Sequence, residues 1–92
     1  MKSPWPKIER EIDVTDRALT YGERLVTVSF NPSGDERVRR TKEAFAAVID
    51  AMNELRSCNA DQEHKLLCTV AIQAALTAQM WAVKCITWRS PS

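Results

Sequence analysis

Hydrophobic and polar residues alternate in the first third of the chain. Leu25 to Phe30 (LVTVSF) is rich in β-branched residues with a period of two, which is typical of a half-buried strand. Partial alternation also occurs at Ile8, Ile12 and Val14, and Tyr21-Gly22 lies between the two runs as a turn signal. We therefore predict a small N-terminal β element within residues 8–31, with one turn of helix over 16–23 as the alternative.

The hydrophobic period changes after Phe30. Pro32 and Gly34 suit the second and last positions of a type I turn, and Ser33 precedes Glu36 by three residues, as in a capping box. Apolar residues and one threonine then recur at helical spacing, at Val38, Thr41, Phe45, Val48, Ile49, Met52 and Leu55. The pattern predicts a long amphipathic helix that ends at the break formed by residues 57–61 (SCNAD).

A second helix is predicted from Asp61 or Gln62 to about Trp88. Its apolar residues cover nearly all directions, and the short loop before it makes the two helices antiparallel neighbours. Two helices alone leave much of this surface uncovered, so a second copy is expected on it, with close approach at Ala71, Ala74, Ala75 and Ala78. The predicted fold is mainly α with a small N-terminal β element, an antiparallel two-helix hairpin completed by homo-oligomerisation.

The second helix is also long enough to span a membrane. Gln73, Gln79 and Lys84 make a membrane span costly, and no basic cluster or aromatic belt flanks the helix, so no membrane association is predicted. Residues 1–7, with Pro4 and Pro6, are expected to form an extended arm without secretory features. The predicted organisation is an arm (1–7), a β-leaning segment (8–31) and a helical hairpin (32–92) in one cytoplasmic domain.

Charge and reactive residues exclude several functions. The chain carries 13 Lys and Arg against 12 Asp and Glu, a net charge of +1, which disfavours binding to nucleic-acid polymers. The set of Cys58, His64 and Cys68 lacks a fourth ligand, so no metal is predicted. No phosphate-binding glycine motif occurs, and we predict neither a cofactor nor an enzyme.

A basic cluster, residues 37–42 (RVRRTK), follows the predicted turn. It has one interpretation as a solvated helix face and another as an anion site. Asp35 and Glu36 disfavour an anion on the helix axis, so a bound phosphate is expected to one side, near Arg37, Arg39, Arg40 or Lys42. Two alternatives stay open: a small protein–protein interaction module that inhibits a host protein, and a DNA-binding repressor.

Two stretches together carry a resemblance to a known family. SFNPSGDERVRRTKEAFAAVID and, after a short interval, a helix ending AQMWAVKCIT resemble the helical-hairpin domain of the phage-encoded anti-CBASS and anti-Thoeris sponge proteins. The resemblance covers Val26 to Thr87, and the β-leaning N-terminal part is nearer to the Thoeris-directed branch. It rests most specifically on residues 30–34, on Val38 and Lys42, and on residues 80–84.

The resemblance implies a non-enzymatic protein that sequesters cyclic nucleotide immune signals in the cytoplasm of an infected bacterium. It implies a homo-oligomer, typically a hexamer, with ligand sites between protomers for glycocyclic ADP-ribose, cyclic dinucleotides and, at a separate site, cyclic trinucleotides. Gln73 and Gln79 depart from many relatives and put that separate site in doubt. The predicted ligand-binding residues are Phe30, Asn31, Pro32, Ser33, Gly34, Arg37, Val38, Arg39, Lys42, Trp81 and Lys84.

Overall fold

The structure, a computed structural model, describes residues 18–91. This part of the chain contains three helices, α1 (Tyr21–Leu25), α2 (Glu36–Ser57) and α3 (Gln62–Thr87). The prediction of a mainly helical chain is confirmed, and α3 begins and ends where the sequence predicts. The predicted arm over 1–7 and the first part of the β-leaning segment, 8–17, lie outside the described residues.

The strand predicted at Leu25 to Phe30 is wrong, since residues 18–91 contain no strand. Thr20 caps α1 instead: its hydroxyl accepts from the Glu23 amide at 3.2 Å, and the Glu23 carboxylate accepts from the Thr20 amide at 2.8 Å. Beyond α1, Thr27 adopts a left-handed φ of 51°, which breaks any extended run. Val26 and Val28 are buried on either side of it, so their period-two spacing reflects a tight turn instead of a strand.

Gly22 lies inside α1 and not in the turn predicted at Tyr21-Gly22. A Cβ atom at this position would overlap the carbonyl group of Ala46, so α1 lies directly against the backbone of α2. The Gly22 amide also donates to Asp50 Oδ1 at 2.7 Å. Glycine is needed here because it has no side chain, and not because of its conformational freedom.

The turn before α2 forms, but the predicted Ser33 cap is wrong. The Gly34 amide donates to the Asn31 carbonyl at 3.2 Å, and Gly34 has a φ of 67°. Asp35 is the N-cap, and its carboxylate accepts from the Arg37 amide at 2.8 Å. Ser33 is occupied in the turn, where its hydroxyl accepts from the Asp35 amide at 3.1 Å, so α2 begins at Glu36.

The helices α2 and α3 pack against each other, and α1 packs on α2. At one end Arg56 of α2 donates to Thr69 near the start of α3, at 3.0 Å, and at the other end the first turns of α2 meet the last turns of α3. The two long helices therefore run in opposite directions. The core between the elements contains Val26, Val28, Ala46, Ile49 and Ile72.

Helix α3 has two apolar faces, and only one is covered. Its inward face carries Cys68 and Ile72, both buried. The opposite side, which we term the outward face, is exposed and consists of Leu67, Val70, Ala74, Ala78 and Trp81, continued by Trp88 directly after the helix. By length and composition α3 would be able to cross a membrane, with a mean hydropathy of 1.6 over its most apolar window and 17% of that window buried.

Candidate functional site

A cavity of about 300 Å³ opens where the turn, the start of α2 and the end of α3 meet. Six of the predicted site residues lie around it, namely Phe30, Asn31, Pro32, Ser33, Val38 and Lys42. On the other side it is closed by Val83 and Thr87 of α3. The size is compatible with one ring system of a small ligand, and the lining is mainly apolar.

Phe30 and Val38 form the apolar surfaces of this cavity. The Phe30 side chain is 65% exposed although it follows the buried Val26 and Val28, and Val38 is 2% exposed and forms part of the base. An exposed aromatic ring beside a cavity is suited to stack on a flat heterocycle, because stacking requires only a free π-face. Phe30 therefore supplies the clearest ligand-binding chemistry of the site.

Lys42 is the cation of the cavity wall, and its ammonium group is already bonded. It donates to Thr27 O at 3.1 Å, to Thr27 Oγ1 at 3.3 Å and to Phe30 O. Its nitrogen also lies 5.4 Å from the centroid of the Phe30 ring. Lys42 is 5% exposed, and burial lowers the pKa of its ammonium group.

The polar side chains of the turn hold each other. Asn31 Nδ2 donates to the Asp35 carbonyl at 3.0 Å, and Ser33 Oγ donates to Asn31 Oδ1 at 2.7 Å. These bonds fix the turn between the loop and α2, so Pro32 and Ser33 are presented at the cavity on a rigid segment. The same bonds occupy groups that the sequence analysis leaves free for a ligand.

Two arginines of the basic cluster pair with acids of their own helix. Arg37 binds Asp35 at 2.9 Å, and these bonds from the Arg37 side chain and amide hold the pKa of the Asp35 carboxyl below its ordinary value. Arg39 bridges Glu36 and Glu43, and its bond lowers the pKa of Glu36. Neither arginine lines the cavity. This part of the cluster therefore stabilises the start of α2.

Three other predicted site residues also lie apart from the cavity lining. Gly34 is exposed in the turn, and Trp81 is 65% exposed on the outward face of α3. Lys84 is exposed next to the lining residue Val83, with its ammonium 5.8 Å from the Trp88 ring centroid. Trp81 and Lys84 therefore do not meet the Phe30 ring within the cavity of one protomer.

Three residues of this region were not predicted from the sequence. Val83 and Thr87 line the cavity from α3, and their spacing of four residues is the only signal that places them on one side of a helix. Thr27 was also missed, although it provides two of the acceptors of Lys42. No sequence pattern would have assigned that role to a residue 15 positions before the lysine.

A second opening, of about 410 Å³, lies at the other end of α2 beside Ala51, Glu54, Leu55 and Cys58. It offers one carboxylate and no convergent set of polar donors, so it carries less ligand chemistry than the cavity at Phe30. Within residues 18–91, no group of three His, Cys, Asp or Glu side chains is arranged to hold a metal ion.

No protein-family model, curated protein or solved structure matches the chain. The residues of the site and the resemblance stated above are therefore the basis for inferring a function.

Proposed function

We propose that the protein binds cyclic nucleotide immune signals without cleaving them and so prevents activation of a host antiphage effector. The observation that carries the proposal is the cavity at the turn, which brings together six of the predicted ligand-binding residues, five of which the resemblance implies. Candidate ligands are glycocyclic ADP-ribose isomers and cyclic dinucleotides. A separate site for cyclic trinucleotides is less well supported, because Gln79 is buried at 5% exposure.

The cavity fits the base of such a ligand better than its phosphate groups. The Phe30 ring is exposed for stacking, Val38 gives an apolar base, and the ammonium of Lys42 is engaged with its own chain. The phosphates then require a cation from outside the cavity lining. Lys84 meets this need, since it is exposed, adjoins the lining residue Val83 and has no ion pair within residues 18–91.

A second copy of the chain is the proposed partner of the outward face. This face extends from Leu67 to Trp88, a distance of roughly 30 Å along the helix. Lys84 is its only charged neighbour between Leu66 and Trp88, and Trp81 and Trp88 are each more than half exposed. Soluble monomers rarely leave a continuous apolar patch larger than about 600 Å² uncovered, so self-association would bury this surface.

Self-association would also increase ligand affinity. A protein that competes with an effector for its signal needs nanomolar binding, about −12 kcal/mol. One open cavity with its cation engaged elsewhere does not supply this, whereas a site closed by a second protomer excludes water and adds contacts. Homo-oligomerisation of the two-helix hairpin is therefore part of the same proposal. A hexamer is the assembly to be tested first.

Native mass spectrometry tests binding and assembly together. The protein is mixed with glycocyclic ADP-ribose isomers, cyclic dinucleotides and cyclic trinucleotides, and the expected result is an oligomer that holds a ligand of unaltered mass. Phe30→Ala should weaken binding at least about fivefold, the lower end of the loss expected for a missing stacked ring. Leu55→Ala is the matched control, because Leu55 is half exposed on α2 beside the second opening.

Three results would contradict the proposal. Absence of binding across the panel would favour the alternative of an interaction module that inhibits a host protein. A ligand released at altered mass would indicate an enzyme. Sedimentation of the protein with phosphatidylcholine vesicles, together with a monomeric mass in solution, would assign the outward face of α3 to lipid instead of a second copy.

A further inference from the structure

Residues 26–30 form the loop between α1 and the turn, and Lys42 of α2 lies beneath it. We propose that Lys42 is a positioning residue: it holds this 26–30 loop in the ligand-free protein and thereby sets Phe30 at the cavity wall. The inference deepens the proposed function, and it matters for ligand binding only if that function is correct. Its test uses no ligand, so the two proposals fail separately.

The hydrogen bonds of Lys42 account for the whole donor capacity of its ammonium group. A lysine has three N–H donors and no acceptor, and here the acceptors are Thr27 O, Thr27 Oγ1 and Phe30 O. All three belong to the 26–30 loop, 12 to 15 residues before Lys42 in the chain. The side chain therefore links the loop to α2 at both ends of the Thr27 to Phe30 segment.

The 26–30 loop needs such support because its backbone is strained. Thr27 is β-branched, and its φ of 51° lies in the left-handed region, which such residues rarely adopt. The Thr27 hydroxyl donates to the Val26 carbonyl at 2.6 Å, which leaves its lone pairs for Lys42. The strained residue is thus the one that Lys42 contacts twice.

Phe30 is connected to Lys42 through both its backbone and its ring. Its carbonyl accepts from the ammonium, and its amide donates to the Thr27 carbonyl at 2.8 Å. The ring centroid lies 5.4 Å from the ammonium nitrogen, within the range of a cation–π contact. Loss of the ammonium would release the Phe30 carbonyl and remove the attraction that orients the ring.

The first experiment is ¹⁹F NMR of the ligand-free protein labelled with 4-fluorophenylalanine. The chain has two phenylalanines, so Phe45 on α2 is an internal control, and Phe30→Leu assigns the two signals. Lys42→Met retains the length of the apolar stem and removes the charge. We expect the Phe30 signal to narrow and move toward the value of the free amino acid, while the Phe45 signal remains in place.

Amide hydrogen exchange measures the loop itself. Lys42→Met should accelerate exchange of the Phe30 amide about tenfold or more, as expected for the loss of bonds to a charged donor. The Cys58 amide, bonded to Glu54 at 3.1 Å at the far end of α2, should not change. Lys65→Met is the matched variant, because it removes a lysine from α3 that forms no side-chain bond within residues 18–91.

Unchanged Phe30 fluorine and amide signals in folded Lys42→Met would overturn the proposal. Equal changes at Phe30 and Phe45 would do the same, because they would indicate general loosening of α2. If Lys42→Met does not fold, Lys42→Arg replaces it, since a planar guanidinium cannot place donors on the same three oxygens. A Phe30 signal that is identical in Lys42→Arg and wild type would then refute the positioning role.

Discussion

The two faces of α3 are similar in composition and opposite in environment. The inward face, with Cys68 and Ile72, is buried where α3 packs on α2, whereas Val70 and Trp81 on the outward face are more than half exposed. Packing of the protomer therefore accounts for one face only. Folding of a single chain therefore explains only part of the apolar character of α3, and we propose that self-association explains the rest.

The largest expected effect tests the inward face. Ile72→Ala should lower the free energy of unfolding by about 3 kcal/mol, because Ile72 is 4% exposed and its truncation leaves a cavity beside Ile49. Val70→Ala, the control on the outward face, should cost less than about 0.5 kcal/mol within the protomer. Urea denaturation at several protein concentrations measures both, since a contact between copies makes the midpoint concentration-dependent.

If Ile72→Ala and Val70→Ala lowered the free energy of unfolding equally at low protein concentration, the distinction between the two faces would be wrong. A loss for Val70→Ala that appears only at high concentration would instead locate Val70 in the contact between copies.

The second effect separates folding from assembly. Ala78→Glu places a charge on the exposed outward face and should dissociate the oligomer while the helical circular dichroism is retained. Ala75→Glu should destabilise the protomer itself, because Ala75 packs against the core. Size-exclusion chromatography with light scattering gives the mass, and Ala60→Glu, in the exposed loop before α3, controls for the added charge. An oligomer of unchanged mass in Ala78→Glu would exclude this face from the contact.

The smallest effect concerns the N-terminal end of α2, which positions the cavity. Asp35→Ala should lower the thermal unfolding midpoint slightly at pH 7, because the carboxylate caps the helix. Folding lowers the pKa of the Asp35 carboxyl below its ordinary value. The ionised carboxylate therefore stabilises the fold at any pH above the ordinary pKa, and this contribution is lost as the pH falls through the folded-state pKa.

Thermal unfolding of both proteins between pH 7 and pH 2 checks this cap. The difference in Tm between wild type and Asp35→Ala should be constant near neutral pH and should become smaller in acid. A difference that does not depend on pH would mean that the ionised Asp35 carboxylate contributes no more than the protonated form.

The sequence predicted α3 well and the 20–36 region poorly, for an identifiable reason. The chain contains the capping pattern twice, as Thr20-x-x-Glu23 and Ser33-x-x-Glu36, and only the first forms. At the second, Asn31 binds the Ser33 hydroxyl in the turn, and Asp35 caps the helix. Local pattern alone does not decide between two neighbouring oxygen acceptors, because the choice depends on the turn before them.

In the candidate site, too, some residues could be predicted from the sequence and others could not. Residues that are adjacent in sequence, Phe30 to Ser33, could be grouped correctly because they form one turn. The role of Lys42 could not be predicted, because its acceptors depend on the left-handed backbone of Thr27. Trp81 was predicted as a stacking surface for the ligand, whereas the helical phase of α3 places it on the outward face.

The contact between Gly22 and Ala46 has a consequence for recognising related chains. No side chain fits between α1 and α2 at this point, and Asp50 accepts the Gly22 amide 28 positions further along the chain. A glycine, a small residue and an acid at these intervals thus form a signature of helix docking that is independent of any ligand. Distant relatives that bind other molecules would retain this signature after the residues around the cavity had diverged.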